Sequence, residues 1–138
     1  MERKPPRRTR ERILDLSLRL FNDFGEPNVN TTLISEEMNI SPGNLYYHFK
    51  NKDDIINCIF QQFEREIDKL LSVPQDRQAN VEDAWLFLHV LFELVWKYRF
   101  FYRDLNNLLA NNRTLEVKFK QLLAQKVKVA KGLCEGLQ

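Results

Sequence analysis

Apolar residues recur along this chain at spacings of three and four, from Ile13 to Leu137, and nowhere alternate with polar residues for long enough to make a strand. A period of 3.6 carried through nearly the whole length predicts an all-α fold. The pattern breaks into segments at recognisable stops. A first helix is expected from about Thr9 to Phe24, with Ile13, Leu16, Leu20, Phe21 and Phe24 on one face. Gly25 and Pro27 end it. Asn30, Thr31 and Thr32 offer caps for a short helix to about Met38. Ser41 is a natural N-cap and Pro42 suits the first helical position, so a third helix starts there and reaches about Phe49. Asn51 caps a fourth, with Asp54 three residues on and a stripe from Ile56 to Leu71. Residues 72–80 are polar and hold Pro74, which marks a loop. Val81 to Tyr98 is apolar almost all round, the signature of a helix buried on most sides. A shorter helix over Tyr102 to Ala110, a break at Asn111–Thr114 and a last amphipathic helix to Leu137 complete the chain.

The 138 residues make one domain or two small ones, and 43% apolar with 29% charged residues is a globular balance. The longest uncharged apolar run, Ala84 to Phe92, is about half of what a membrane helix needs. No apolar stretch follows the basic start, so secretion has no support. Cys58 and Cys134 lie far apart and outside any C-x-x-C pattern. Both are read as reduced, in a cytoplasmic protein without membrane contact. Charge is unevenly spread. Residues 1–12 hold six basic and two acidic side chains, a net of +4, and the remainder carries 15 − 17 = −2. A basic arm on a mildly acidic body suits a polyanion, although a solvated terminus has the same composition.

Residues 28–52 carry the most information. Two short helices joined by a tight turn, after a longer amphipathic helix, make a helix-turn-helix candidate. Ile34, Ile40, Leu45 and Phe49 are placed to pack inward. Pro42, Gly43, Asn44, Tyr47 and His48 remain outward or at the tip of the third helix, the part that meets base edges in such motifs. Asn44 has the donor and acceptor that pair with the N7 and N6–H of adenine in the major groove. Gly43 would let the backbone come close. Tyr46 and Tyr47 offer hydroxyls for phosphate or a ring for a thymine methyl. Lys52 stands in the first turn of a helix, where the macrodipole disfavours a cation. A docked phosphate would explain it; so would plain solvation beside Asp53 and Asp54.

These residues resemble a known family. Ile13-Leu14-x-x-Ser17-x-x-Leu20-Phe21, Gly25, Ile34, and then Ile40-Ser41-Pro42-Gly43-Asn44-Leu45-Tyr46-Tyr47-His48-Phe49-x-x-Lys52 look like the DNA-binding domain of TetR-family transcriptional regulators. Ser17 and Ser35 stand where that family usually has Ala, and Asn39 where Gly is common. After the basic arm, set at 1–8, the resemblance implies a helix-turn-helix DNA-binding domain at 9–51, a connecting helix at 52–71, and part of a helical ligand-binding and dimerisation domain at 72–138. It implies phosphate contacts from Thr31, Thr32, Tyr46, His48 and Lys52, and base-contact positions at Pro42, Gly43 and Asn44, of which Pro42 has no side-chain donor; with the outward Tyr47, the candidate base contacts are Gly43, Asn44 and Tyr47. It implies a repressor that binds a palindromic operator in double-stranded DNA as a homodimer and is released by a small-molecule effector. Family members continue through two further long helices that form the dimer, so the regulatory domain is expected to be incomplete here. The alternative is an all-helical DNA-binding or protein-interaction module without an effector.

Other chemistry has little support. His48 and His89 form no metal-ligand spacing, and neither a phosphate-binding loop nor a nucleophile elbow occurs. No metal, no cofactor and no enzymatic activity are expected. Trp85, Phe92 and Trp96 form a stripe that suits a core or a ligand cavity, and His89 on the same helix suits a core histidine or a ligand contact. Aromatics and charges crowd between Tyr98 and Asp104, so Arg103 is either a polar group in a pocket wall or an exposed residue at a helix corner. Trp85, His89, Phe92, Trp96 and Arg103 are the candidate effector-pocket residues.

Overall fold

The structure, a computed structural model, describes residues 6–72 and 80–136. Every regular element among them is helical: α1 Pro6–Phe24, a 3-10 turn at Glu26–Asn28, α2 Thr31–Met38, α3 Pro42–His48, α4 Lys52–Leu71, α5 Val81–Lys97, α6 Arg99–Arg103, α7 Leu105–Asn111 and α8 Arg113–Gly136. The all-α expectation holds, with two local differences. α1 opens at Pro6, so part of the basic arm is helical; residues 1–5 lie outside the described residues, as do residues 73–79 of the expected loop. Where one helix was expected over Tyr102 to Ala110 there are two short ones, parted at Asp104.

The caps follow the side-chain chemistry that the sequence offers. Asn51 accepts the Asp54 N–H at 2.8 Å. Asn80 and Asp83 form a reciprocal capping box at the start of α5. Asn112 is buried and accepts the Leu115 N–H at 3.1 Å, which starts α8. Gly25 stands at φ 87°, a region that an L side chain rarely adopts, and so lets α1 stop and the 3-10 turn begin.

The chain forms two compact units. One joins the residues up to Phe60 with Arg99–Leu105; the other joins Gln61–Tyr98 with the residues from Asn106 onward. The division falls within α4 and gives α6 to the first unit. In that unit Ile13, Phe21, Ile34, Leu45, Phe49, Ile55, Ile56, Ile59 and Phe60 are buried. α6 adds Phe100 and Phe101, whose rings lie 5.1 Å from Phe21 and 5.6 Å from Phe60, centroid to centroid. Two buried serines of the first unit differ. The Ser35 hydroxyl donates to the Thr32 carbonyl at 2.8 Å, whereas the Ser17 hydroxyl has no hydrogen-bond partner among the described residues.

In the second unit Phe63, Ile67, Leu94, Tyr98, Leu108, Leu115 and Leu122 are buried, and the Phe63 and Tyr98 rings meet edge to face at 5.1 Å. Lys97 pairs with Glu66, and Lys126 with Asp68. The burial expected on most sides of α5 is not found. Leu94 is its one buried residue, while Trp85, Phe92 and Trp96 are 73%, 68% and 67% exposed. A helix that is apolar all round needs neighbours all round, and the described residues of this unit cover one side of it.

Candidate nucleic-acid interface

The region that the sequence singles out is built by α2, the turn after it, and α3. Asn30 holds the start of α2 by accepting the Leu33 N–H at 2.8 Å. α2 ends where Asn39 takes the left-handed conformation, φ 57° and ψ 43°. The Asn39 N–H then donates to the Glu36 carbonyl and the Ile40 N–H to the Ser35 carbonyl, both at 3.0 Å. This is a Schellman closure, and asparagine tolerates the left-handed region better than most side chains. Ser41 caps α3 by accepting the Asn44 N–H at 3.0 Å, and Pro42 occupies the first helical position.

Burial sorts the two faces of α3. Leu45 and the following Phe49 are buried, and Ile34 of α2 is wholly so; Ile40 is half-buried. Gly43, Asn44, Tyr46 and Tyr47 are exposed, Tyr47 to 83%. Spacings of three and four bring Gly43, Asn44 and Tyr47 onto one face. His48 is half-buried, with its ring edge-on to Tyr47 at 5.2 Å. Thr31 is half-buried and Thr32 exposed at the start of α2. A Cβ at Gly43 would meet nothing nearer than the Ser41 hydroxyl at 3.9 Å, so nothing within the chain requires glycine there. The exposed surface presents hydroxyls, a carboxamide, aromatic rings and a bare stretch of backbone. Such groups suit phosphates and base edges.

Lys52 departs from the expected arrangement. Its ammonium lies 2.8 Å from the Glu26 carboxylate and donates to the carbonyls of Glu26 at 3.2 Å and Val29 at 3.0 Å. An ammonium has three N–H groups, and these three oxygens satisfy them. The cation at the start of α4 is thus explained from within the chain, without a phosphate. The Glu26 carboxylate is itself buried. Nothing in the sequence marks Glu26, because a carboxylate beside a proline reads as a surface turn.

Four of the five candidate pocket residues belong to α5 and the fifth to the other compact unit. Trp85, His89, Phe92 and Trp96 lie exposed along α5, and His89 pairs with Glu93 one turn on at 3.2 Å. Arg103 belongs to the other compact unit, where its guanidinium stands beside Gly25, 3.6 Å from where a Cβ would sit. The aromatic stripe of Trp85, Phe92 and Trp96 is a largely exposed face of α5. No helix among the described residues is long and apolar enough to cross a membrane.

Comparisons with known proteins agree with this geometry. Residues 13–59 match the family model described as bacterial regulatory proteins, tetR family, and residues 62–138 match the one described as a bacterial transcriptional repressor. An HTH-type transcriptional regulator of Staphylococcus aureus strain USA300 is 30% identical over 95 residues, which cover 66% of this chain and 50% of that protein. The counterpart in strain N315 matches to the same extent. The chain thus spans about half the length of the curated relatives it matches. The crystal structure of a TetR-family transcriptional regulator from Marinobacter aquaeolei VT8 superposes with a TM-score of 0.90 at 43% identity, over 94% of this chain and 64% of that one. A second, from Haemophilus influenzae Rd, has a TM-score of 0.52 at 19% identity over 76% of this chain and 58% of its own, and shares the fold.

Proposed function

The chain belongs to the TetR family of bacterial regulators, and from that premise we propose that it is a sequence-specific DNA-binding transcriptional repressor, reading DNA through α3. The observation that carries this reading is the sorted surface of α3. Leu45 and Phe49 are buried beneath it, while Gly43, Asn44 and Tyr47 stand exposed on one face. In this reading Asn44 and Tyr47 contact base edges, and Gly43 lets the backbone approach them. Thr31, Thr32, Tyr46 and His48 hold the phosphates on either side. Lys52, engaged within the chain, supports the surface from below.

Repression, rather than activation, is supported by the wording of the family model that spans residues 62–138. In this reading the protein is cytoplasmic and acts as a homodimer on a palindromic operator, with its two recognition helices about 34–36 Å apart in successive major grooves. A small-molecule effector taken up by the regulatory domain releases it. The test is selection of random-sequence duplexes on the immobilised chain. Enrichment of one sequence supports the reading, and bound DNA that stays random in sequence rules out base readout.

A further inference from the structure

Asp104 lies 78 residues beyond Glu26 in sequence, yet its Oδ2 accepts the Glu26 backbone N–H at 3.0 Å. That N–H opens the 3-10 turn before α2. The residue at its N-cap is Gly25, which has no side chain to offer and is held at a φ of 87° that disfavours any other residue. A cap for this turn therefore has to come from elsewhere in the chain, and α6 brings it. Other bonds hold the turn at its far end: the Asn28 and Val29 N–H groups reach their carbonyls at 3.2 Å each, the Asn28 side chain donates to the Phe24 carbonyl at 2.7 Å, and Lys52 donates to the Glu26 and Val29 carbonyls, but among the described residues only Asp104 takes the Glu26 N–H. α6 is itself fixed against the end of α1. The Phe100 N–H donates to the buried Asn22 carboxamide oxygen at 3.1 Å, and the Arg99 guanidinium reaches Asp23 at 3.4 Å.

From the turn, the contacts run on to the helix-turn-helix. The Glu26 carboxylate holds Lys52, and Lys52 holds the Val29 carbonyl, one residue before the Asn30 cap of α2. We propose that Asp104 is a positioning residue for α2 and α3, fixing the turn on which α2 begins and so the surface that α3 presents, without touching DNA. The inference rests on the reading of α3 as a DNA-binding helix. It makes the reading domain discontinuous in sequence, because residues up to 60 lack one of its fixing groups. A buried N–H left without its acceptor is costly, so loss of Asp104 moves the turn.

The experiment uses the whole chain and a fluorescent duplex enriched on it from a random pool. Asp104→Ala is expected to weaken binding about tenfold with an unchanged dependence on salt, since no phosphate contact is lost. Asp104→Asn keeps the acceptor but not the charge, so it is expected to lose only about threefold. Hydrogen exchange at the Glu26 and Leu33 amides is expected to quicken in Asp104→Ala. Wild-type affinity in Asp104→Ala overturns the inference, and so does a flattened salt dependence. Should Asp104→Ala fail to fold by circular dichroism, Asp104→Asn alone decides, and unchanged affinity in it overturns the inference. If the wild-type chain retains no duplex, the DNA-binding reading fails. Exchange at Glu26 and Leu33 then decides the positioning role by itself, quickened amides supporting it and unchanged amides overturning it.

Discussion

The Lys52 ammonium lies 2.8 Å from the Glu26 carboxylate, tying the first residue of α4 to the turn from which α2 begins. Both groups are largely withdrawn from water, with side chains 27% and 8% exposed. Removal of one partner would leave the other buried without its counter-charge, and that is the expensive way to break an ion pair. The lysine thus serves the fold of the DNA-reading unit directly.

Lys52→Met is accordingly expected to destabilise the chain by about 2 kcal/mol in denaturant melts. Its DNA affinity is expected to fall while the slope of log K against log salt stays the same. A slope flatter by about one, with stability intact, would return Lys52 to the phosphate-contact role that its position at a helix start suggested.

Ser17→Ala is expected to stabilise the chain. The Ser17 side chain is wholly buried and its hydroxyl is unpaired. An unsatisfied buried hydroxyl costs about 1–3 kcal/mol, and alanine is also the better helix former. We expect a gain of about 1 kcal/mol or more by chemical denaturation. Ser35→Ala serves as the control, because its hydroxyl is paired with the Thr32 carbonyl at 2.8 Å. An equal gain at both positions would mean that helix propensity alone is at work.

Gly43→Ala tests the approach of backbone to DNA. The nearest atom to an added Cβ is 3.9 Å away, so the melting temperature is expected to hold or rise slightly. Affinity for the selected duplex is expected to drop about tenfold or more, since one methyl group stands where DNA must come close. Unchanged affinity would show that this part of α3 does not meet the groove.

Both tryptophans of the chain lie on α5, at 73% and 67% exposure. Its intrinsic tryptophan fluorescence therefore reports on that helix alone. We expect emission typical of water-exposed indole and efficient quenching by acrylamide in dilute solution. Blue-shifted, protected emission would mean that something covers the stripe of Trp85, Phe92 and Trp96.

The helices were legible in the sequence because apolar spacing and caps are local. Asn30, Ser41 and Asn51 announce the starts of α2, α3 and α4 within a few residues of each. The exposed tip of α3 was legible for the same reason: once Leu45 and Phe49 are assigned inward, Gly43, Asn44 and Tyr47 can only face out. What depends on a partner far along the chain is not legible in the same way. Lys52 looked like a cation awaiting an anion, and its partner stands 26 residues upstream, in what reads as a surface turn. Asp104 is 78 residues from the N–H that it caps, and a single sequence holds no trace of that pairing. α5 failed for a different reason. Hydrophobicity says that a helix wants cover but not whether cover is supplied, so an apolar stripe was read as core or cavity where the helix lies open.

That the chain reads DNA bases through α3 is tested most directly by titrating wild type and Asn44→Ala against the selected duplex and against an unrelated one, over a range of salt. We predict that wild type prefers the selected duplex by about 10³-fold or more at physiological salt. Asn44→Ala is predicted to lose about 1–3 kcal/mol on the selected duplex and almost nothing on the unrelated one, with the salt slope the same for both proteins. Equal losses on the two duplexes, or a wild type that does not distinguish them, would contradict base readout by α3.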